Sequence, residues 1–255
     1  MATPEVLGLP VGLAIGSLAG TAAVRWPAGL TLGRPARSRC DGCGAPVRGL
    51  ALLPLVGWLR TRGRCAVSGC RIAGVQSLVE LGVGAAFVLA LTAAAWPVAL
   101  LHAAVGAMLV LATALDVRLR WIPDRLTLPA GAVLVPCATM LAVSGIAPVA
   151  PSRPLVLGLG IPAVLAVLRE VTRHTGRGAW LGGGDVKLLV PLLAVVALES
   201  HGPRLLWATS AAAGVAAALL GRRGWWGRPT REVPVAPLLL VGWLVVRLAG
   251  RSGAT

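Results

Sequence analysis

The chain has 255 residues, of which 56% are hydrophobic and 13% charged, and its formal net charge is +15. Soluble domains carry roughly 25% charged and about 45–50% apolar residues, so this composition does not suit a water-soluble globular fold. A basic excess can mark a nucleic-acid partner, but here the arginines flank apolar runs, where Lys and Arg set membrane topology.

In chain order, eight apolar segments can be read: 6–24, 75–95, 97–115, 126–145, 154–168, 186–198, 203–220 and 233–248. Several approach the roughly 20 apolar residues needed to cross a bilayer. No strand-like alternation accompanies them, so the spanning elements are expected to be helices. The expected fold is an all-α polytopic membrane protein with about eight transmembrane helices and a small cytoplasmic cysteine-containing loop domain. Its parts are a first helix (1–24), the loop domain (25–74) and the remaining transmembrane domain (75–255). The first segment follows Glu5 and precedes Arg25, without the basic lead of a cleaved signal. It therefore reads as a membrane helix with its N-terminus outside. With that start, all of the 24 basic residues except Arg153, Arg204, Arg247 and Arg251 fall on the inner side, as the positive-inside bias requires.

The hydrophilic segment 25–74 is too short for a large core and would need a staple. It carries Cys40-x2-Cys43 and Cys65-x4-Cys70. Paired cysteines two to four residues apart are the ligand pattern of a structural four-sulfur zinc site. In a cytoplasmic loop disulfides seldom persist, so Cys40, Cys43, Cys65 and Cys70 are read as zinc ligands that fold the loop. Cys137, in the fourth segment, reads as a small packing residue.

Only nine residues are acidic. Asp116 ends the third segment, and Asp185 follows Gly182-Gly183-Gly184 at the start of the sixth. Ionisable groups at the hydrocarbon boundary are costly and mark functional sites. A carboxylate pair can share one proton, so that the charged member activates water and the protonated member donates to the scissile carbonyl. That is the chemistry of an aspartic protease. A lone Asp at a helix end is otherwise a cap, and Asp124, just before the fourth segment, suits that role. Asp116 does not, because a negative charge at a helix C-terminus opposes the macrodipole. Lys187 reads either as a group that acts on the substrate or the acid pair, or as a snorkelling anchor. Glu80 reads as a buried polar partner. His102, His174 and His201 form no metal spacing. Trp225 and Trp226 are placed at a membrane edge. A proton-coupled small transporter that relays protons through Asp116 and Asp185 is the alternative. No internal repeat of the kind common in transporters is visible, and the cysteine loop has no place there.

Gly182-Gly183-Gly184-Asp185-Val186-Lys187 resembles the Gly-x-Gly-Asp-x-Lys motif of the prepilin peptidases, a branch of the membrane aspartic proteases. Asp116, followed by Pro123-Asp124, resembles the family's first catalytic segment. Gly16-Ser17-Leu18 to Arg25-Trp26-Pro27 resembles the end of its first helix, and Ser77-Leu78-Val79-Glu80 the start of its second. The resemblance implies that Asp116 and Asp185 are catalytic and that 75–255 is the peptidase domain. It implies cleavage of the leader of type IV prepilins or pseudopilins at the cytoplasmic face of the bacterial inner membrane. It also implies methylation of the new amino terminus with S-adenosylmethionine. The partners expected are these substrates and membrane lipid, with no nucleic acid. The chain departs from the family at Leu18-Ala19-Gly20, where an aromatic residue and Asn are usual, and in the longer second cysteine spacing.

Overall fold

The computed structural model describes residues 4–33, 38–40, 42–91, 95–175, 182–222 and 234–252. Trp225 and Trp226, and several of the inner-side arginines (Arg34, Arg37, Arg177, Arg223, Arg228 and Arg231), lie outside these residues. The described structure is almost entirely helical, with only two isolated β-bridges, Arg39 to Pro46 and Arg64 to Arg71. Among the described residues, each of the eight apolar segments is largely helical. They are α1 (Pro4–Arg25), α3 (Gly74–Leu91), α4 (Trp96–Leu119), α5 (Asp124–Val143), the continuous run α6 (Arg153–Leu155), π-turn (Val156–Gly160) and α7 (Ile161–His174), then α8 (Gly183–Val196), α9 (Gly202–Arg222) and α10 (Val235–Ser252). Among the described residues, five spans are long and apolar enough to cross a membrane: Leu7–Arg25, Gly74–Leu91, Trp96–Leu119, Asp124–Val143 and Arg153–His174. Eight is thus the number of these helices, while five meet the measure for a crossing.

The chain divides into two compact units, Met1–Val88 and Leu89–Thr255. In the first, α1 lies directly against α3. Its Gly12, Gly16 and Gly20 recur every fourth residue and so share one face. A Cβ on Gly16 would come within 2.7 Å of the Glu80 Cα, and one on Gly20 within 2.8 Å of the Gln76 Cγ. Without a strong hydrophobic drive between helices in lipid, this close backbone approach is what packing can use. The loop between the helices contains the short α2 (Val56–Arg60). Glu80 is buried, and its Oε2 accepts the Leu55 N–H at 2.8 Å, just where Leu55 has a φ of 58°. The carboxylate thereby holds a backbone conformation that a non-glycine residue rarely adopts, which is the buried polar role expected of Glu80.

In the second unit α8 is the central helix. Leu188, Leu189 and Leu192 through Leu198 are buried, and α8 packs against α4, α5, the π-turn, α7 and α10. Val98, Val135, Ala138, Ala142, Ala194 and Leu198 form one core cluster between α4, α5 and α8. Such an all-round apolar helix has to sit inside a bundle. Cys137 is not in that core. It is exposed on α5, correcting the packing role expected of it, because its side of the helix faces outward.

Candidate active site

Asp116 is buried, with 6% of its surface exposed. The helix that carries it ends four residues later at Arg120, which is left-handed (φ 53°) and donates its N–H to the Asp116 carbonyl. The unfavourable charge at this C-terminus has a local remedy. The Asp116 Oδ2 accepts the N–H of Ala236 at 3.1 Å, at the first turn of α10. The unpaired N–H groups at a helix start favour an anion, so α10 supplies what α4 cannot.

Asp185 is the third residue of α8, and its Oδ2 accepts the Gly182 N–H at 3.1 Å. The two aspartates are 69 positions apart in sequence, yet they come close enough to interact electrostatically. The glycines explain how. A Cβ on Gly184 would stand 2.9 Å from the Ile122 Cβ and 3.0 Å from the Ile122 carbonyl oxygen. Only a glycine lets the start of α8 settle onto the short connection after Asp116. A Cβ on Gly182 would sit 2.6 Å from the Asp185 Oδ2, so this glycine leaves room for the carboxylate to turn back onto the backbone.

Pro123 holds the N-cap position, and Asp124 is the first residue of α5. Its Oδ1 takes a hydrogen bond of 2.7 Å from the Lys187 Nζ, both side chains being largely exposed. The pair ties the start of α5 to α8 beside Asp185. The cap expected of Asp124 gives way to this longer-range partner.

At the opposite ends of the same helices lies a second charged group that the sequence did not reveal. Arg247 of α10 and His102 of α4 are completely buried. Arg247 pairs with Glu199, the His102 Nε2 is 3.2 Å from the Glu199 Oε1, and Arg247 also donates to the Ala90 carbonyl. Arg153 donates to the carbonyls of Glu199 and Ser200. Residues 102, 199 and 247 share no short-range spacing. The signal available was a lone Arg inside an apolar run, which needs an acidic partner in lipid.

In the first unit, Cys40, Cys43, Cys65 and Cys70 converge, with all four sulfurs within 4.8 Å of one another. Cys40 and Cys70 are 3.4 Å apart, and Cys43 and Cys65 3.7 Å. Four sulfurs each about 2.3 Å from a tetrahedral metal would stand about 3.8 Å apart, so the set has room for a metal ion. The unequal spacings also resolve. Cys40 N–H bonds the Ala45 carbonyl and Gly44 N–H the Cys40 carbonyl, while Cys65 N–H bonds the Cys70 carbonyl and Gly69 N–H the Cys65 carbonyl. The two turns therefore superpose as one pattern, with Ser68 at the place of Cys43 and Cys70 at the place of Ala45. Cys70 reaches across because the first turn has Gly42, where a Cβ would lie 2.9 Å from the Cys70 Sγ. N–H groups of Ser68 and Val67 and the Ser68 hydroxyl lower the Cys65 thiol to about 6. The Ser68 hydroxyl and the Ala45 N–H also lower Cys43, whereas burial pushes Cys40 up to about 11.

Residues 11–94 match the model of the Bacterial Peptidase A24 N-terminal domain, and residues 103–221 that of the Type IV leader peptidase family. The chain is 34% identical over 213 residues to a prepilin leader peptidase/N-methyltransferase of Klebsiella pneumoniae, covering 79% of this chain and 89% of that protein. It is 28% identical over 248 residues to the protein of the same name in Bacillus subtilis, covering 94% and 92%. It is 30% identical over 215 residues to a type 4 prepilin-like proteins leader peptide-processing enzyme of Escherichia coli, covering 81% and 73%. No solved structure matches the chain.

Proposed function

We infer, from a chain that belongs to the type IV leader peptidase family, that this protein is a membrane aspartic endopeptidase which removes the leader from prepilin-like substrates. The observation that carries this reading is the convergence of Asp116 and Asp185 at one end of the second unit, each held by a backbone N–H at a helix start. Two carboxylates that act on one another's charge favour the state in which one is protonated and the other charged. In that state one takes a proton from water as it attacks the scissile carbonyl. The other gives its proton to the carbonyl oxygen, and the two then return a proton to the departing amine. The peptide C–N bond breaks, a carboxyl and an amine form, and no covalent enzyme intermediate is needed.

The four cysteines would hold zinc as a closed structural site, which fixes the loop fold and leaves no open position for chemistry. The relatives' names include N-methylation, for which S-adenosylmethionine would donate the methyl group to the new amino terminus. Support for it in this chain is thinner. Leu18-Ala19-Gly20 stands where the family has an aromatic residue and Asn, and Gly20 is taken up by packing on Gln76, so no step is assigned to it. The arginine distribution supports an inner-membrane protein with the N-terminus outside and the aspartates at the cytoplasmic face.

The test is cleavage of a prepilin in membranes by wild type, Asp116→Ala and Asp185→Ala. Both variants are expected to accumulate normally and to lose cleavage. Full activity in either would remove that residue from the mechanism.

A further inference from the structure

The loop between α1 and α3 is hydrophilic as a whole, but residues 49–60 are not. They fold as a 3-10 turn (Gly49–Leu52) followed by α2. A Cβ on Gly57 would collide with the Ala51 carbonyl, so this glycine lets α2 fold back on the turn. Leu50, Leu52, Leu53, Val56 and Leu59 of this small element are all exposed. Apolar surface gathered in one place marks an interaction site.

The depth of the element identifies what it meets. The span Gly74–Leu91 has 18 residues, which as a helix is about 27 Å long. The hydrocarbon core is about 30 Å thick, so α3 has no length to spare and Gly74 must stand at the hydrocarbon boundary. Glu80 lies six residues further, about 9 Å along the helix. Its side chain leans back toward the helix start, yet the carboxylate is buried and takes the Leu55 N–H at 2.8 Å. Leu55 is thereby held below the level of Gly74. A Cβ on Gly74 would meet the Trp58 ring at 3.9 Å, which puts an indole at the boundary itself, where Trp is enriched.

The backbone is made for such a place. In hydrocarbon each N–H needs a protein partner. The N–H groups of Leu53, Val56, Gly57, Leu59, Thr61 and Arg62 all bond carbonyls within the element, and that of Leu55 bonds Glu80. The charge pattern points the same way. From Gly42 to Val79 the chain has no acidic residue, and the exposed Arg48, Arg60, Arg62 and Arg64 flank the apolar stretch. Apolar side chains bordered by arginines are the pattern of an element lying in the interface of an anionic membrane.

We propose that residues 49–60 are a membrane anchor of the cysteine loop, with the leucines inserted among the acyl chains and the flanking arginines on anionic lipid headgroups. On the orientation inferred above, this is the inner leaflet. The proposal needs α3 to cross the membrane and does not depend on the peptidase reading.

The experiment places a dansyl amino acid at Leu59, 66% exposed, or at Leu78 of α3, 70% exposed within the span. Each full-length protein is put into phosphatidylcholine nanodiscs with a small share of phosphatidylglycerol or phosphatidylcholine spin-labelled high on the acyl chain. Emission from Leu59 is expected to be blue-shifted and quenched as that from Leu78 is. Labelled phosphatidylglycerol should quench Leu59 at least about fivefold more effectively than labelled phosphatidylcholine, the contribution of one arginine at an anionic surface. Arg60→Gln, Arg62→Gln and Arg64→Gln together should abolish that preference, with retained quenching at Leu78 showing that the variant stays folded in the membrane. An unquenched Leu59 beside a quenched Leu78 overturns the proposal: a red-shifted probe would put the element in water, and a blue-shifted one under protein, such as a second copy of this chain. Equal quenching of Leu59 by the two lipids, or an unquenched Leu78, overturns it as well.

Discussion

A methyl group at position 184 has nowhere to go. Gly184→Ala would press on both the side chain and the carbonyl of Ile122, and overpacking of this kind costs about 1–3 kcal/mol. The larger effect should fall on catalysis, because a shift of about 1 Å in a reacting group can cost about 10²-fold. Cleavage rates in membranes, normalised to protein level, check this expectation; a rate equal to wild type would show that the close approach is not what sets the aspartate geometry. Lys187→Met supplies a contrast. Its ion pair with Asp124 is exposed on both sides, and such pairs contribute about 0–1 kcal/mol, so the thermal midpoint in detergent should barely move. At this scale the sequence was readable where chemistry is local. Asp116, Asp185 and the glycine run stand out by type and spacing, but the partners of Asp116 and Asp124 lie 120 and 63 positions away and leave no trace in the residues beside them.

Among the described residues the helices coincide with the apolar runs, five of them long and apolar enough to cross a membrane, because a membrane helix has to be apolar along its whole length, and that is a one-dimensional signal. What the runs conceal is how two elements meet. The Cys-x4-Cys spacing is longer than the family's, yet the hydrogen-bond register makes the two turns equivalent and puts Cys70 where Ala45 stands in the first. Gly42→Ala should displace the Cys70 sulfur and lower the zinc content of the purified protein relative to wild type, as measured by elemental analysis. An unchanged content would mean that Cys70 is not a ligand. The last helix is a second case. Arg247 and His102 are buried, and their partner Glu199 is 22% exposed. Removing one side of a fully buried pair costs about 3–5 kcal/mol, and the uncompensated buried charge here would be on the arginine side of the pair. Glu199→Gln should therefore lower the unfolding temperature strongly, and adding Arg247→Met should recover part of the loss. If the single variant melts like wild type, the cluster does not hold α10 in place.

For the whole molecule, the arginine distribution predicts the orientation. The Ser144–Gly145 turn closes α5 at the end opposite Asp124, so on that orientation a phosphatase fused there should be active on the outer side of the membrane, and one fused after Arg120 inactive. The reverse result would invert the topology.

The bond from Ala236 to Asp116 carries an implication for how much of the polypeptide the chemistry needs. The stretch 103–221 recognised by the leader peptidase model contains both acids, but the amide that steadies one of them is donated from beyond it. A protein shortened to that stretch would keep every residue the motif names and would still leave one of its two acids without its steadying amide.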